Sequence, residues 1–133
     1  MLSILTSELS ANWLNIPDDV LALLAEDEKA LLSIKQKKYR PSINIESVTI
    51  TNKRLILRKP SMLRIKKTFI DYFYSDISNV VLDKGPLRST LMLNLRFEGN
   101  DLVIEDIPNS DALEAFKHIR EGIDRWRRES HTP

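Results

Sequence analysis

Seven short runs of strand character followed by one amphipathic run restrict this chain more than any other feature. Ala30, Leu32 and Ile34 alternate with Leu31, Ser33 and Lys35, and Val48 and Ile50 flank Thr49. Side chains alternate across a strand, so each pattern predicts one buried and one exposed face. Thr51-Asn52-Lys53-Arg54 predicts a tight connection into Leu55–Leu57, on the argument that Asn tolerates positive φ. Phe69–Tyr74 is aromatic, Ile77–Leu82 is β-branched, and Asp83-Lys84-Gly85-Pro86 reads as a turn. In the clearest strand, Leu91, Leu93, Leu95 and Phe97 oppose Thr90, Asn94 and Arg96. Glu98-Gly99-Asn100-Asp101 then turns the chain into Leu102–Ile107. Seven strands with short connections imply an antiparallel sandwich or barrel.

The final run is helical. Asn109 or Ser110 caps it after Pro108, and Ala112, Phe116, Ile119, Ile123 and Trp126 recur at alternating spacings of four and three. A single stripe of this kind predicts a helix lying over an open end of the barrel, with Phe116 and Trp126 as its plug. Near the start, Pro17-Asp18-Asp19 followed by Val20, Leu21 and Leu24 predicts a short helix of about two turns, because proline and acids favour the first turn. Residues 1–16 form an apolar N-terminal arm, residues 17–129 the domain, and residues 130–133 a tail.

Composition removes several function classes. The chain has 133 residues, enough for one domain with a real core. It has no cysteine, which excludes disulfides, a thiolate nucleophile and cysteine-ligated metal. No basic leader segment precedes an apolar run, and no stretch is apolar enough to span a bilayer, so a cytoplasmic location is expected. His118 lies off the apolar stripe of the helix and His131 falls in the tail, with no partners at metal-ligand spacing. Asp71 with Asp76, or Glu105 with Asp106, are the available carboxylate pairs. Glu105 and Asp106 are adjacent on a strand and are expected on opposite faces. Three glycines leave no phosphate-cradling loop. No cofactor is expected, and an enzyme is the least favoured reading.

Charge is the feature with functional content. Residues 35–67 carry eleven bases against one acid, Glu46, whereas residues 1–34 carry six acids against Lys29 alone. The whole chain is nearly neutral at +1. Such asymmetry can draw an anionic partner. The small net charge disfavours a dedicated nucleic-acid domain, and aromatics at strand spacing serve packing more often than base stacking.

The chain resembles the pleckstrin-homology-like domains of bacteria and archaea. The resemblance rests on Asp27-Glu28 before the first strand, Ile50-Thr51-Asn52-Lys53-Arg54-Leu55-Ile56, Tyr74-Ser75-Asp76-Ile77-Ser78-Asn79-Val80, Lys84-Gly85, Ser89-Thr90-Leu91 and the final helix. These pieces span about residues 20–128, with the arm outside. The resemblance implies a mainly β (α+β) fold: a partly open, seven-stranded antiparallel barrel of two orthogonal sheets, capped by a C-terminal helix. It also implies a binding scaffold without catalysis, and members prone to self-assembly.

In animal relatives that hold inositol phosphates, a lysine followed by a Lys/Arg-x-Arg triplet carries the ligand. Lys35 and then Lys38-Tyr39-Arg40 resemble that pattern, although all of them precede Pro41 instead of straddling the loop. Lys37 joins this cluster, and Arg64, Lys66 and Lys67, between the third and fourth strands, complete a candidate anion-binding rim. The competing reading is a set of solvated lysines that discourage edge pairing. Each base near an anionic bilayer contributes about 1 kcal/mol. Four or five engaged bases give about 4–5 kcal/mol, a dissociation constant of order millimolar. One copy binds a membrane poorly, while an oligomer gains through effective concentration. The leading expectation is therefore a protein-binding or homo-oligomeric scaffold. Peripheral attachment to anionic lipid is the alternative, and an unrecognised enzyme comes last.

Overall fold

The computed structural model describes residues 16–35, 45–60, 66–96 and 101–130. A four-residue helix α1 (Asp18–Leu21) precedes β1 (Ala30–Lys35), β2 (Ser47–Thr51), β3 (Arg54–Pro60) and β4 (Lys67–Phe73). A 3-10 turn at Tyr74–Asp76 leads into β5 (Ile77–Lys84), β6 (Arg88–Leu95) and β7 (Asp101–Pro108), and α2 (Asn109–Ser130) closes the chain. The strands form two antiparallel meanders, β1-β2-β3-β4 and β5-β6-β7. All seven strands and the terminal helix stand where the residue patterns put them.

One face of each sheet meets a common core. Leu32, Ile34, Val48, Ile50, Leu55 and Leu57 come from the first sheet; Ile77, Val80, Leu91, Leu93, Ile104 and Ile107 come from the second. Helix α2 packs chiefly on β5 and brings Ala112, Ala115, Ile119 and Ile123 to the same core. The plug is therefore made of small and aliphatic residues. Phe116 and Trp126 stand at its margins, half-buried, each with an arginine over its ring: Arg120 at 5.7 Å and Arg96 at 5.2 Å. The reason is close approach. A Cβ on Gly122 would lie 2.5 Å from the Tyr74 ring, so α2 sits too near the barrel for large side chains at the centre of the contact.

Besides a register shift between Ile77 and Asn79 in the β5–β6 pair, two bulges break the expected alternation among the described residues. A register shift between Ala30 and Leu32 sends Ala30 away from Leu32 and Ile34 into a second cluster with Ile16, Val20 and Ile56. The second lies where Ser89 pairs with Ile107 but Leu91 pairs with Ile104. Ile104 and Ile107 are both buried although three residues apart, and Asp106 between them has φ 59°. The opposite-face reading of Glu105 and Asp106 does not hold across such a bulge. Arg88 stabilises it by donating from Nε to the Asp106 carboxylate at 2.9 Å and from Nη2 to the Asp106 carbonyl at 2.8 Å.

Helix α1 is one turn, not two: after Leu21 the amides of Leu23 and Leu24 bond three residues back, to Val20 and Leu21, and Arg54 holds the Leu23 carbonyl at 2.9 Å. The segment lies on the outer face of the first sheet, with Val20 over Ile56 and Phe69. Asn52 also works differently from the expectation: Asp106 is the one non-glycine with positive φ among the described residues. The Asn52 side chain instead accepts from the Lys29 N–H at 2.7 Å and donates to the Asp27 carbonyl at 3.4 Å. Asn109 is likewise a staple: it donates to the Gly85 and Pro86 carbonyls and accepts from Ser89, fixing the start of α2 to the β5–β6 turn. Among the described residues no helix is long and apolar enough to cross a membrane.

Candidate functional site

The basic middle third was the sequence's candidate, and its described members are largely tied to acids. Arg54, on the outer face of β3, grips Glu28 in a bidentate pair, Nε to Oε2 and Nη2 to Oε1, both at 2.9 Å. It reaches Asp71 with Nη1 at 2.7 Å. Glu28 also accepts from the Thr51 hydroxyl at 2.6 Å and the Ala25 N–H at 3.0 Å. Burial opposes ionisation of Glu28, yet the hydrogen bonds from Arg54, Thr51 and Ala25 outweigh it and hold the carboxyl below its ordinary range. Lys53 clasps Asp27 through both carboxylate oxygens at 2.7 Å, which lowers the Asp27 pKa.

At the other end of the sheet Arg58 pairs with Asp19 through Nε and Nη2 and with Glu46 through Nη1, and Lys67 approaches Glu46 at 3.3 Å. Bonding to Asp19 raises the Arg58 pKa against the desolvation that lowers it. Among the described bases of this region, Lys53, Arg54, Arg58 and Lys67 are thus paired with acids, and three of those acids, Asp19, Asp27 and Glu28, come from the acidic first third. Among the described residues, charge that is segregated along the chain is in part rejoined in space.

The candidate residues fare unequally. Lys35 ends β1 and is exposed beside a groove of about 610 Å³ that also holds Asp18, Asp19, Glu46 and Arg58. Lys66 is exposed just before β4. Lys67 is half-buried on Glu46. Lys35 pairs with Ser47, Ser47 with Arg58, and Lys67 belongs to the next strand, so Lys35 and Lys67 share one end of the sheet. Three strand spacings and a two-residue offset along β4 separate them by roughly 16 Å, with carboxylates between. Lys37, Lys38, Arg40 and Arg64 lie outside the described residues. The described part of the rim is therefore of mixed sign. Of the carboxylate pairs, Asp71 is committed to Arg54 and Asp106 to Arg88. Among the described residues no group of three or more potential ligands is placed to hold a metal ion.

The residues behind the resemblance acquire a physical meaning here. Asp27, Glu28, Thr51, Asn52, Lys53 and Arg54 bond one another, joining the approach to β1 to the β2–β3 turn. Tyr74, from the third matching piece, donates its hydroxyl to the Thr51 carbonyl at 2.7 Å, and burial pushes its pKa well above the phenol range. These residues hold the fold.

The family of bacterial PH domains matches residues 24–121. A solved structure of a pleckstrin-homology-domain protein from Shewanella loihica is similar at a TM-score of 0.61 and 20% identity, covering 88% of this chain and 92% of that one. A pleckstrin homology domain from Shewanella amazonensis is similar at 0.58 and 20% identity, covering 88% and 86%. Comparison with curated proteins finds no match. At such identity the structures speak to the fold.

Proposed function

Because this chain belongs to the bacterial PH domain family, we propose that it is a non-enzymatic binding module that works through contact with another protein or with further copies of itself. The family and its fold support a binding role in general. The finer reading draws on one observation: the described basic residues are mostly engaged internally, while large apolar side chains remain outside. Leu87 is 79% exposed, and Leu21, Leu23, Phe73, Val81 and Leu113 each lie above 39%. Surfaces that pair their charges and present apolar groups suit protein partners better than polyanions.

Sedimentation velocity of the full chain at tens of micromolar tests self-association, with a species larger than the monomer expected. A strict monomer, unchanged by deletion of residues 1–16, argues against scaffolding. Attachment to anionic lipid is the second reading, favoured by Lys35 and Lys66, which stay exposed at one end of the first sheet. Flotation with vesicles of anionic and neutral lipid decides it. Equal recovery from both, or no effect of Lys38→Glu with Arg40→Glu, removes the lipid reading.

A further inference from the structure

At the end of the first sheet remote from Lys35, the β2–β3 turn, the Phe73–Ser75 corner and the second half of α2 enclose a cleft of about 200 Å³. Its walls are Phe73 and Trp126 and its floor is Tyr74 against Gly122. Phe73 is 44% exposed while the adjacent Tyr74 is 4% exposed. The core uses Tyr74 and leaves Phe73 at the surface. The cleft is built on fixed parts: the Tyr74 hydroxyl is held by the Thr51 carbonyl, and Arg125 Nη1 donates to the Asn52 carbonyl at 3.1 Å across the mouth.

Size and charge narrow the occupant. Drug-sized ligands and cofactors need roughly 300–1,000 Å³, so this cleft takes about one side chain. A cationic guest is disfavoured, because both aromatic walls already carry a guanidinium: Arg54 lies 5.5 Å from the Phe73 centroid and Arg96 5.2 Å from that of Trp126. The mouth holds Lys53 and Arg125 against Glu129, and Arg125 Nη2 also stands 3.8 Å from the Glu121 carboxylate, an exposed i,i+4 pair. Lys53 is engaged by Asp27, but that carboxylate is 75% exposed, and such surface pairs exchange readily. An apolar anchor seated between aromatic and arginine groups is also the usual make-up of a binding hot spot.

We propose that this cleft seats one apolar side chain of a partner protein, with an adjacent partner carboxylate on Arg125 and Lys53. The proposal rests on the protein-binding reading above and locates it. Selection of a random linear peptide library on the immobilised full chain tests it. Enriched peptides are expected to carry Leu, Ile, Met or Phe within two residues of Asp or Glu. Phe73→Ala, at an exposed position, weakens a synthetic enriched peptide by roughly tenfold or more, and Arg125→Glu turns the selected charge from acidic to basic. A reversal of preference cannot arise from misfolding. Enriched sequences resembling Glu8-Leu9 of the chain's own arm support the cleft and name a second copy as the partner. No enrichment, or peptides indifferent to both substitutions, overturns the proposal. Self-association that persists in both variants also overturns the cleft as its contact, while leaving the binding-module reading intact.

Discussion

Replacing the helix glycine Gly122 with alanine reverses the usual outcome of such a change. In an exposed helix interior, glycine to alanine gains about 1 kcal/mol from backbone entropy alone. Here the new methyl group would stand 2.5 to 2.6 Å from three atoms of the Tyr74 ring. The ring cannot swing aside cheaply. Tyr74 is 4% exposed, and its hydroxyl donates to the Thr51 carbonyl at 2.7 Å. Leaving that buried pair unmade costs about 1–3 kcal/mol, and overpacking a filled core costs a similar amount. The steric cost exceeds the propensity gain, so Gly122→Ala is expected to destabilise the chain by about 1–2 kcal/mol net. Urea unfolding followed by tryptophan fluorescence reads this directly. The companion variant Tyr74→Leu removes the obstructing ring, and in that background alanine at 122 should cost less or become favourable. A Gly122→Ala protein more stable than the native chain would refute the reasoning, because it would mean that helix and ring are not in contact.

Three further outcomes follow from the same contacts. Arg54→Met leaves the buried Glu28 with the Thr51 and Ala25 hydrogen bonds but no counter-charge, at about 3 kcal/mol near pH 7. Without its partner the Glu28 carboxyl titrates higher than in the native chain, so the loss shrinks as pH falls and protonation removes the charge; stability curves of native and variant that stay parallel from pH 7 to 4 refute this. In the native chain the Glu28 pKa is depressed instead, so its contribution is present above about pH 4.3 and fades below it. At Asp106, held at φ 59°, alanine should destabilise by about 1 kcal/mol more than glycine, because only glycine adopts that backbone freely; equal thermal midpoints count against a left-handed residue at the bulge. Val20→Ala removes two buried methyl groups of the α1 strap, about 1.5 kcal/mol, and should speed amide exchange of Leu23 and Leu24 more than that of β6; uniform exchange would show that the strap opens only with the whole domain.

The strands and the terminal helix were legible because periodicity and packing agree there. Leu91 and Leu93 alternate in the sequence and both are fully buried on one side of β6. What the pattern missed was local and long-range at once. Nothing near Asp106 announces a bulge, since the residue that stabilises it, Arg88, stands on another strand. The turn at Asn52 was found for the wrong reason. Its side chain works by bonding Lys29 and Asp27, more than twenty residues earlier, which no local propensity records. The plug was misassigned because large aromatics suggest buried volume. The better signal was the small group Ala112, Ala115 and Gly122, which permits the close approach that excludes Phe116 and Trp126 from the centre. Phe73 was read as one aromatic among several in a strand. Its exposure follows from standing one position before Tyr74, on the opposite side of the sheet from the core.

The charge pattern has a second meaning besides an outward field. Eleven bases beside an acidic first third implied an outward field. The alternative carries an equally simple signature: an acidic segment lying just before a basic one, in a fold where the first wraps the second. Asp19, Asp27 and Glu28 lie on the segment that crosses the outer face of the first sheet, and Arg58, Lys53 and Arg54 lie beneath it. Leu55 and Leu57 turn to the core, so Arg54 and Arg58, which alternate with them, stand on the outer face, where the acids of the strap meet them. The pairing also gives the strap its register: Asp19 at one end of β3 and Glu28 at the other fix both the direction and the length of the crossing. In this domain the internal complementarity of charge orients a segment that four helical residues and a small apolar cluster would hold only weakly.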